Sequence, residues 1–349
     1  MVRFTGLRLY PILAMFQPSI LMRIDCLILK ASLNLSFQLN TTRDKAMELG
    51  LIGLGRMGAN MARRLRRMDL KISAYNRSFD VTRSLEDEVG VAATASVNEL
   101  VKKLSTPRVI WLMLPAGDIT QQYIDELKAL LEPGDILVDG ANSYYKDSIR
   151  RSGELTAHGI HFIDAGVSGG VWGLENGYAL MVGGEIEAVR YIEPVLKALA
   201  PAPDKGWIHC GPGGSGHFTK MIHNGIEYGM MQAYAEGFAL MKSREDFSLD
   251  LGAIAETWRH GSVVRSWLLD LSAEFLQQDQ ALTDVEAYVA DSGEGRWTAL
   301  EAVEQGIPAP VMSLALMMRF ASQGNNDYAA KLLAMMRKGF GGHALKSKE

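Results

Sequence analysis

Six consecutive residues, Gly53-Leu54-Gly55-Arg56-Met57-Gly58, constrain the fold more than any other stretch of this chain. They follow a short apolar run, Glu48–Gly53, and open a helical pattern through about Met68. A G-x-G-x-x-G turn between strand and helix has a specific physical use: the first glycine permits the tight turn, the second lets a pyrophosphate approach the backbone, and the third lets the helix pack on the strand. The free amides at the start of the helix then face the phosphates. Leu54, Arg56 and Met57 belong to the same turn. The expectation is a dinucleotide-binding unit with residues 53–58 at its cofactor edge.

The chain that follows extends this pattern. A second strand, Lys71–Tyr75, ends in Asn76-Arg77-Ser78. An acidic residue here would hold a ribose 2′-hydroxyl; a neutral Asn76 followed by a guanidinium and a hydroxyl suits a 2′-phosphate instead, which favours NADP over NAD. A third strand, Arg108–Leu114, is nearly all apolar, as a central parallel strand is, and runs into Pro115-Ala116-Gly117. Leu114, Pro115 and Ala116 are therefore expected beside the cofactor. Strands Ile136–Asp139 and Phe162–Ala165 end in Gly140-Ala141-Asn142-Ser143 and Gly166-Val167-Ser168-Gly169-Gly170, on either side of a helix over 144–158. Three such loops on one sheet edge make a site rim, with Asn142 and Ser168 placed to hold a polyhydroxy ligand. Further strands are expected at Tyr178–Val182 and Lys205–Cys210.

Gly213–Tyr228, GGSGHFTKMIHNGIEY, then opens a long helix through about Lys242. Its leading glycines suggest a backbone pressed against a ligand. Lys220, His223, Asn224 and Glu227 stand at i, i+3, i+4 and i+7, which puts an amine, an imidazole, an amide and a carboxylate on one helix face. Such groups on a helix this apolar call for a functional reason. Beyond Lys242 the pattern predicts helices at about 249–260, 263–277, 282–290, 296–305, 308–322 and 326–337, separated by glycine and asparagine turns. The fold class is thus an α/β Rossmann-type dinucleotide-binding domain followed by an all-α domain. The domains are expected at 47–212 and 213–335, with a tail over 336–349.

Composition narrows the function. With 349 residues, 48% of them hydrophobic, the chain can bury two cores, and its net charge of −4 leaves no nucleic-acid footprint. Cys26 and Cys210 stand in unrelated contexts, which suggests a reducing compartment and neither a disulfide framework nor a zinc site. No His/Asp/Glu cluster implies a metal. Residues 1–46 are basic and without clean periodicity, and Pro11, Pro18, Arg23 and Asp25 interrupt their apolar stretches, so none is long enough to span a membrane. Arginine outnumbering acid leaves an organelle transit peptide open; the preferred reading is an extension outside the fold, with Met47 as the natural start.

From Met47 to about His343 the chain resembles the 6-phosphogluconate dehydrogenase family. The motifs are GLGRMG (53–58), NRS (76–78), DGANS (139–143), GVSGG (166–170), GGSGHFTKMIHNGIEYGMMQ (213–232), DSGEGRWT (291–298) and FGGH (340–343). The wider β-hydroxyacid dehydrogenase group shares the first glycine motif, the VSGG loop and the Lys-Asn helix, but not HNGIEY. The matched length resembles the short bacterial form, with a reduced helical domain. The resemblance implies a cytoplasmic enzyme of the pentose phosphate route, which oxidises and decarboxylates 6-phospho-D-gluconate to D-ribulose 5-phosphate and CO2 with NADP, favoured, or NAD, and without a metal. The alternative is a related β-hydroxyacid dehydrogenase acting on a small non-phosphorylated acid.

By the same resemblance Lys220 is the base and Glu227 the acid. Asn142, Ser168, Gly169, Gly170, His223 and Asn224 contact the sugar acid, with Asn142 also at the cofactor. Tyr228 and Arg319 take the phosphate. Arg337 and His343 form a tail that completes the neighbouring subunit's site, which implies a homodimer or homotetramer; neither nucleic acid nor membrane is implied as a partner. One departure stands out. The loop Asp291–Trp297 is shorter than in the family, a phosphate-binding lysine has no counterpart, and Arg296 stands at the position of a different family lysine. A weakened phosphate grip is therefore expected.

Overall fold

The structure, a computed structural model, describes residues 47–325, 327–341 and 345. The expected N-terminal extension, residues 1–46, and His343 lie outside the described residues.

The N-terminal part is built on an eight-stranded sheet: β1 (Glu48–Ile52), β2 (Lys71–Tyr75), β3 (Ala92–Thr94), β4 (Val109–Leu112), β5 (Ile136–Asp139), β6 (His161–Ser168), β7 (Ala179–Gly184) and β8 (Trp207–Gly211). The spatial order is β3-β2-β1-β4-β5-β6-β7-β8. All neighbours pair in parallel except β6 and β7. The apolar runs at β1, β4 and β5 are buried on both faces, as their composition requires. Helices α1 (Arg56–Arg67), α2 (Phe79–Val89), α3 (Val97–Lys103), α4 (Asp118–Leu130) and α5 (Tyr145–Thr156) form the crossovers. The chain order reverses between β1 and β4, so the crevice where a ligand binds opens beside the 53–58 turn. The short elements α6 (Gly173–Asn176), α7 (Ile186–Tyr191) and α8 (Glu193–Leu199) complete the layer. Edge strand β3, three residues long, escapes the sequence reading because it is too short to show a period.

Helix α9 (Ser215–Lys242) has 28 residues and is therefore about 42 Å long. Its first half packs on β6, β7, β8 and α5; it also packs against the helices that follow, α10 (Leu251–Arg259), α11 (Trp267–Gln278), α12 (Glu294–Gln305) and α13 (Pro310–Ser322). Helix α14 (Asp327–Gly341) is the last described element.

Two expectations are corrected. Residues 282–290 are not a helix but a run of turns: Asp279 caps the backbone N–H groups of Ala281 and Thr283, and Leu282 adopts φ 51°. The apolar spacing there cannot overcome a side chain that offers the backbone a competing turn. The glycines at the start of α9 press on protein. A Cβ on Gly216 would stand 2.4 Å from the Asp164 carbonyl oxygen, and one on Gly213 2.4 Å from Ser152 Oγ, so they let the helix start lie directly on the sheet and on α5.

Candidate active site

The nucleotide end is formed as the motif implies. Gly53 adopts φ +94°, and a Cβ there would stand 2.4 Å from the Met113 carbonyl oxygen; a Cβ on Gly58 would meet the Gly53 carbonyl at 2.0 Å. Gly55 differs: it is exposed at the start of α1, and nothing lies within 4 Å of where its Cβ would be. That open cradle over the helix amides fits a pyrophosphate. The Leu54 N–H donates to Asn76 Oδ1 at 3.1 Å, and Asn76 Nδ2 donates to the Ser78 carbonyl at 3.3 Å. Asn76 thus ties the two motifs together and leaves Arg77, exposed at the end of β2, as the charge available to a 2′-substituent. Pro115 and Ala116 are exposed just beyond β4, with Leu114 half-buried beneath them.

The next two strand-end loops are fixed by a buried network that joins the DGANS motif to residues of α5 and β6. Asp139 ends β5 with its carboxylate fully buried; it accepts from Arg151 Nη1 at 2.9 Å, Ser143 Oγ at 2.8 Å and the Ala141 N–H at 3.0 Å. The intervening Asn142 is held at φ +52°, and its carboxamide pairs with both backbone groups of Val167, at 2.8 and 3.1 Å. Asn142 therefore first aligns β6 with the DGANS loop, leaving one amide hydrogen and one lone pair free for a ligand. Asp164, buried in β6, accepts from the Gly214 and His217 N–H groups at 2.6 and 2.7 Å and so holds the start of α9 against the sheet. A lone carboxylate in the otherwise apolar run Phe162–Ala165 was the available signal for it.

Residues of α9 and of the 166–170 loop enclose a cavity of about 890 Å³. Lys220, His223, Asn224 and Glu227 line it together with Ser168, Gly169 and Gly170. Met57 reaches the same space, so the nucleotide edge and this cavity are continuous. Trp267, Leu268 and Leu271 of α11 form an apolar wall. The Lys220 side chain is threaded beneath the loop: a Cβ on Gly166 would stand 2.4 Å from Lys220 Cβ, so only glycine admits the lysine there.

Lys220 is 5% exposed. Its Nζ donates to Asn224 Oδ1 and lies 3.4 Å from His223 Nδ1. His223 Nδ1 also lies 3.0 Å from Asn224 Oδ1, a contact in which only the imidazole N–H can donate; this leaves Nε2 to accept from the Ser168 hydroxyl at 3.5 Å. Glu227 Oε2 is 3.9 Å from His223 Nδ1. Burial lowers the Lys220 pKa from its ordinary 10.5, against the opposing pull of Glu227 and then Glu294. An amine with a lowered pKa on the same helix face as a carboxylate can act as an acid–base pair.

The residues expected at the phosphate do not line this cavity. Tyr228 is buried under Gly295, and its hydroxyl lies 3.1 Å from Ser292 Oγ. The Arg319 guanidinium stacks 3.4 Å from the Tyr228 ring centroid, and its Nη1 donates to the Ala290 carbonyl at 2.9 Å. Arg296 is committed to Asp291 and to the Phe320 ring, 4.5 Å away, so it supplies no free cation in place of the missing lysine. Arg337 is exposed on α14. Ser292 lies in the DSGEGRWT motif but was given no role by the sequence reading, because its contact, Tyr228, is 64 residues away.

A dinucleotide crevice joined to a cavity with a buried amine and a carboxylate has the make-up of a nicotinamide-dependent oxidoreductase. Comparison with known proteins narrows the class. Residues 48–211 match the NAD binding domain of 6-phosphogluconate dehydrogenase, and residues 216–347 match the C-terminal domain of the same enzyme. The chain belongs to the 6-phosphogluconate dehydrogenase family. It is 41% identical over 304 residues to the NAD(+)-dependent decarboxylating 6-phosphogluconate dehydrogenase of Haloferax volcanii, covering 87% of this chain and 100% of that protein. Identity to the NADP(+)-dependent enzyme of Bacillus subtilis is 39% over 287 residues, 79% of this chain and 61% of that protein. The 6-phosphogluconate dehydrogenase of Plasmodium falciparum, solved apo, with NADP+ and with 6-phosphogluconate, superposes with a TM-score of 0.74 at 30% identity, covering 87% of this chain and 67% of that one.

Proposed function

We propose that this protein converts 6-phospho-D-gluconate to D-ribulose 5-phosphate and CO2, with NADP preferred over NAD. The observation that carries the reading is Lys220, buried at the wall of the cavity and held by Asn224 and His223 on the same helix face. The bound nicotinamide supplies the hydride acceptor. Gly53–Gly58 and Asn76-Arg77-Ser78 hold the dinucleotide, with Leu114, Pro115, Ala116 and Asn142 along its edge.

The chain's own groups move the protons. Neutral Lys220 takes the proton of the C3 hydroxyl as the C3 hydrogen leaves as hydride. The resulting β-keto acid breaks its C1–C2 bond and releases CO2, while the Lys220 ammonium stabilises and then protonates the C3 enolate oxygen. Glu227 gives a proton to the carbon that lost the carboxylate, as neutral Lys220 takes back the enol O–H proton and leaves the ketone. Ser168, Gly169, Gly170, His223 and Asn224 orient the acid and its hydroxyls, and Tyr228 and Arg319 take the phosphate. No step in this scheme needs a metal.

The division proposed is a nucleotide domain over 47–212, a helical domain over 213–335 and a tail over 336–349. We further propose a homodimer or homotetramer in which Arg337 and His343 complete a neighbour's site. Val311, Leu314, Met317 and Met318 of α13 and Leu332, Leu333, Met335 and Met336 of α14 leave a large apolar surface exposed, which supports such an assembly. The cytoplasm is the proposed site of action; separately, no helix among the described residues is long and apolar enough to cross a membrane.

The test uses purified protein with 6-phosphogluconate labelled at its carboxyl carbon, with NADP and NAD in parallel. Equal molar yields of reduced nicotinamide and labelled CO2 are expected. Reduction of nicotinamide without CO2, or turnover of a small 3-hydroxy acid only, would replace this reading with the β-hydroxyacid dehydrogenase alternative.

A further inference from the structure

Glu294, the first residue of α12, has no part in the proton transfers above. Its carboxylate accepts a hydrogen bond from Ser292 Oγ, which in turn lies 3.1 Å from the Tyr228 hydroxyl. On the face of that same tyrosine lies the Arg319 guanidinium. One Tyr–Ser pair therefore joins a carboxylate on one side to the arginine proposed to take the phosphate on the other. The neighbouring carboxylate, Asp291, is matched by Arg296. Among the described residues no Lys or Arg stands within ion-pair distance of Glu294. Glu294 is itself half-buried.

We infer that Glu294 determines how strongly the site discriminates phosphorylated from unphosphorylated sugar acids. A phosphate dianion bound by Arg319 and the Tyr228 and Ser292 hydroxyls meets an unneutralised carboxylate hydrogen-bonded to the same serine, and like charges at such range in a partly desolvated site repel strongly. An acid without the phosphate meets no such opposition. The inference rests on the proposed placing of the phosphate at Arg319.

Glu294→Gln removes the charge and keeps an acceptor for Ser292. The ratio of kcat/KM for 6-phosphogluconate to kcat/KM for gluconate is expected to rise roughly tenfold in this variant, chiefly through a lower KM for the phosphorylated acid. A ratio that stays level or falls would overturn the inference, because a merely structural Glu294 would move both substrates alike. Should the Gln variant fail to fold, Glu294→Ala is read in the same way, since Ala suits a first helical turn. If the wild-type protein turns over neither acid, the proposed reaction fails on its own. Glu294 is then read by calorimetric titration with inorganic phosphate. Roughly tenfold tighter binding in the variant supports its role, and unchanged binding removes it.

Discussion

At the scale of single residues, the chemistry depends on where charges are left unmatched. Asn76 is occupied in joining the Leu54 amide to the turn before α2, so the proposed recognition of a 2′-phosphate rests on Arg77 and Ser78. Arg77→Ala is expected to raise KM for NADP by about ten- to a hundredfold, the worth of a charge-assisted hydrogen bond, with little change for NAD. Equal loss with both cofactors would place Arg77 elsewhere. The face of α9 was legible in the sequence because helical spacing alone joins Lys220, His223, Asn224 and Glu227. The Asp139–Arg151 pair and the hold of Asp164 on the start of α9 were not, since those partners lie in other elements and no local spacing links them. Asn142 shows the middle case: its place in a site loop could be read, while its commitment to Val167 needed the fold.

At the scale of elements, the site depends on how closely α9 approaches β6. Gly166 sets that distance, and Gly166→Ala must push Lys220 away or shift the strand. Overpacking of this kind costs about 1–3 kcal/mol. A lower melting temperature accompanied by a kcat loss larger than the KM change is expected, because the base itself moves; a variant with wild-type kcat would contradict the packing account. The Arg151–Asp139 pair is buried at both ends. Arg151→Met leaves a buried carboxylate without its cation, and chemical denaturation should register a loss of about 3–5 kcal/mol. The sheet and long helices were readable from apolar runs and turn residues. Residues 282–290 misled because Asp279 competes for their backbone amides.

At the scale of the molecule, the proposed working unit is more than one chain. Light scattering is expected to give the mass of a dimer or tetramer, and a fully active monomer would contradict the shared-site proposal. Within each chain, the central claim is that one buried amine, its pKa lowered by burial, starts the reaction. A base works when neutral, and a lowered pKa moves the neutral form to lower pH. For 6-phosphogluconate, kcat/KM must therefore rise with pH and level off before the ordinary lysine value of 10.5. The decisive measurement is this pH profile, taken for the wild-type protein and for Lys220→Ala. The account predicts that the rising limb disappears in the variant, with a rate lower by about a hundredfold or more. A variant that keeps the same limb, or turns over within tenfold of wild type, would contradict it.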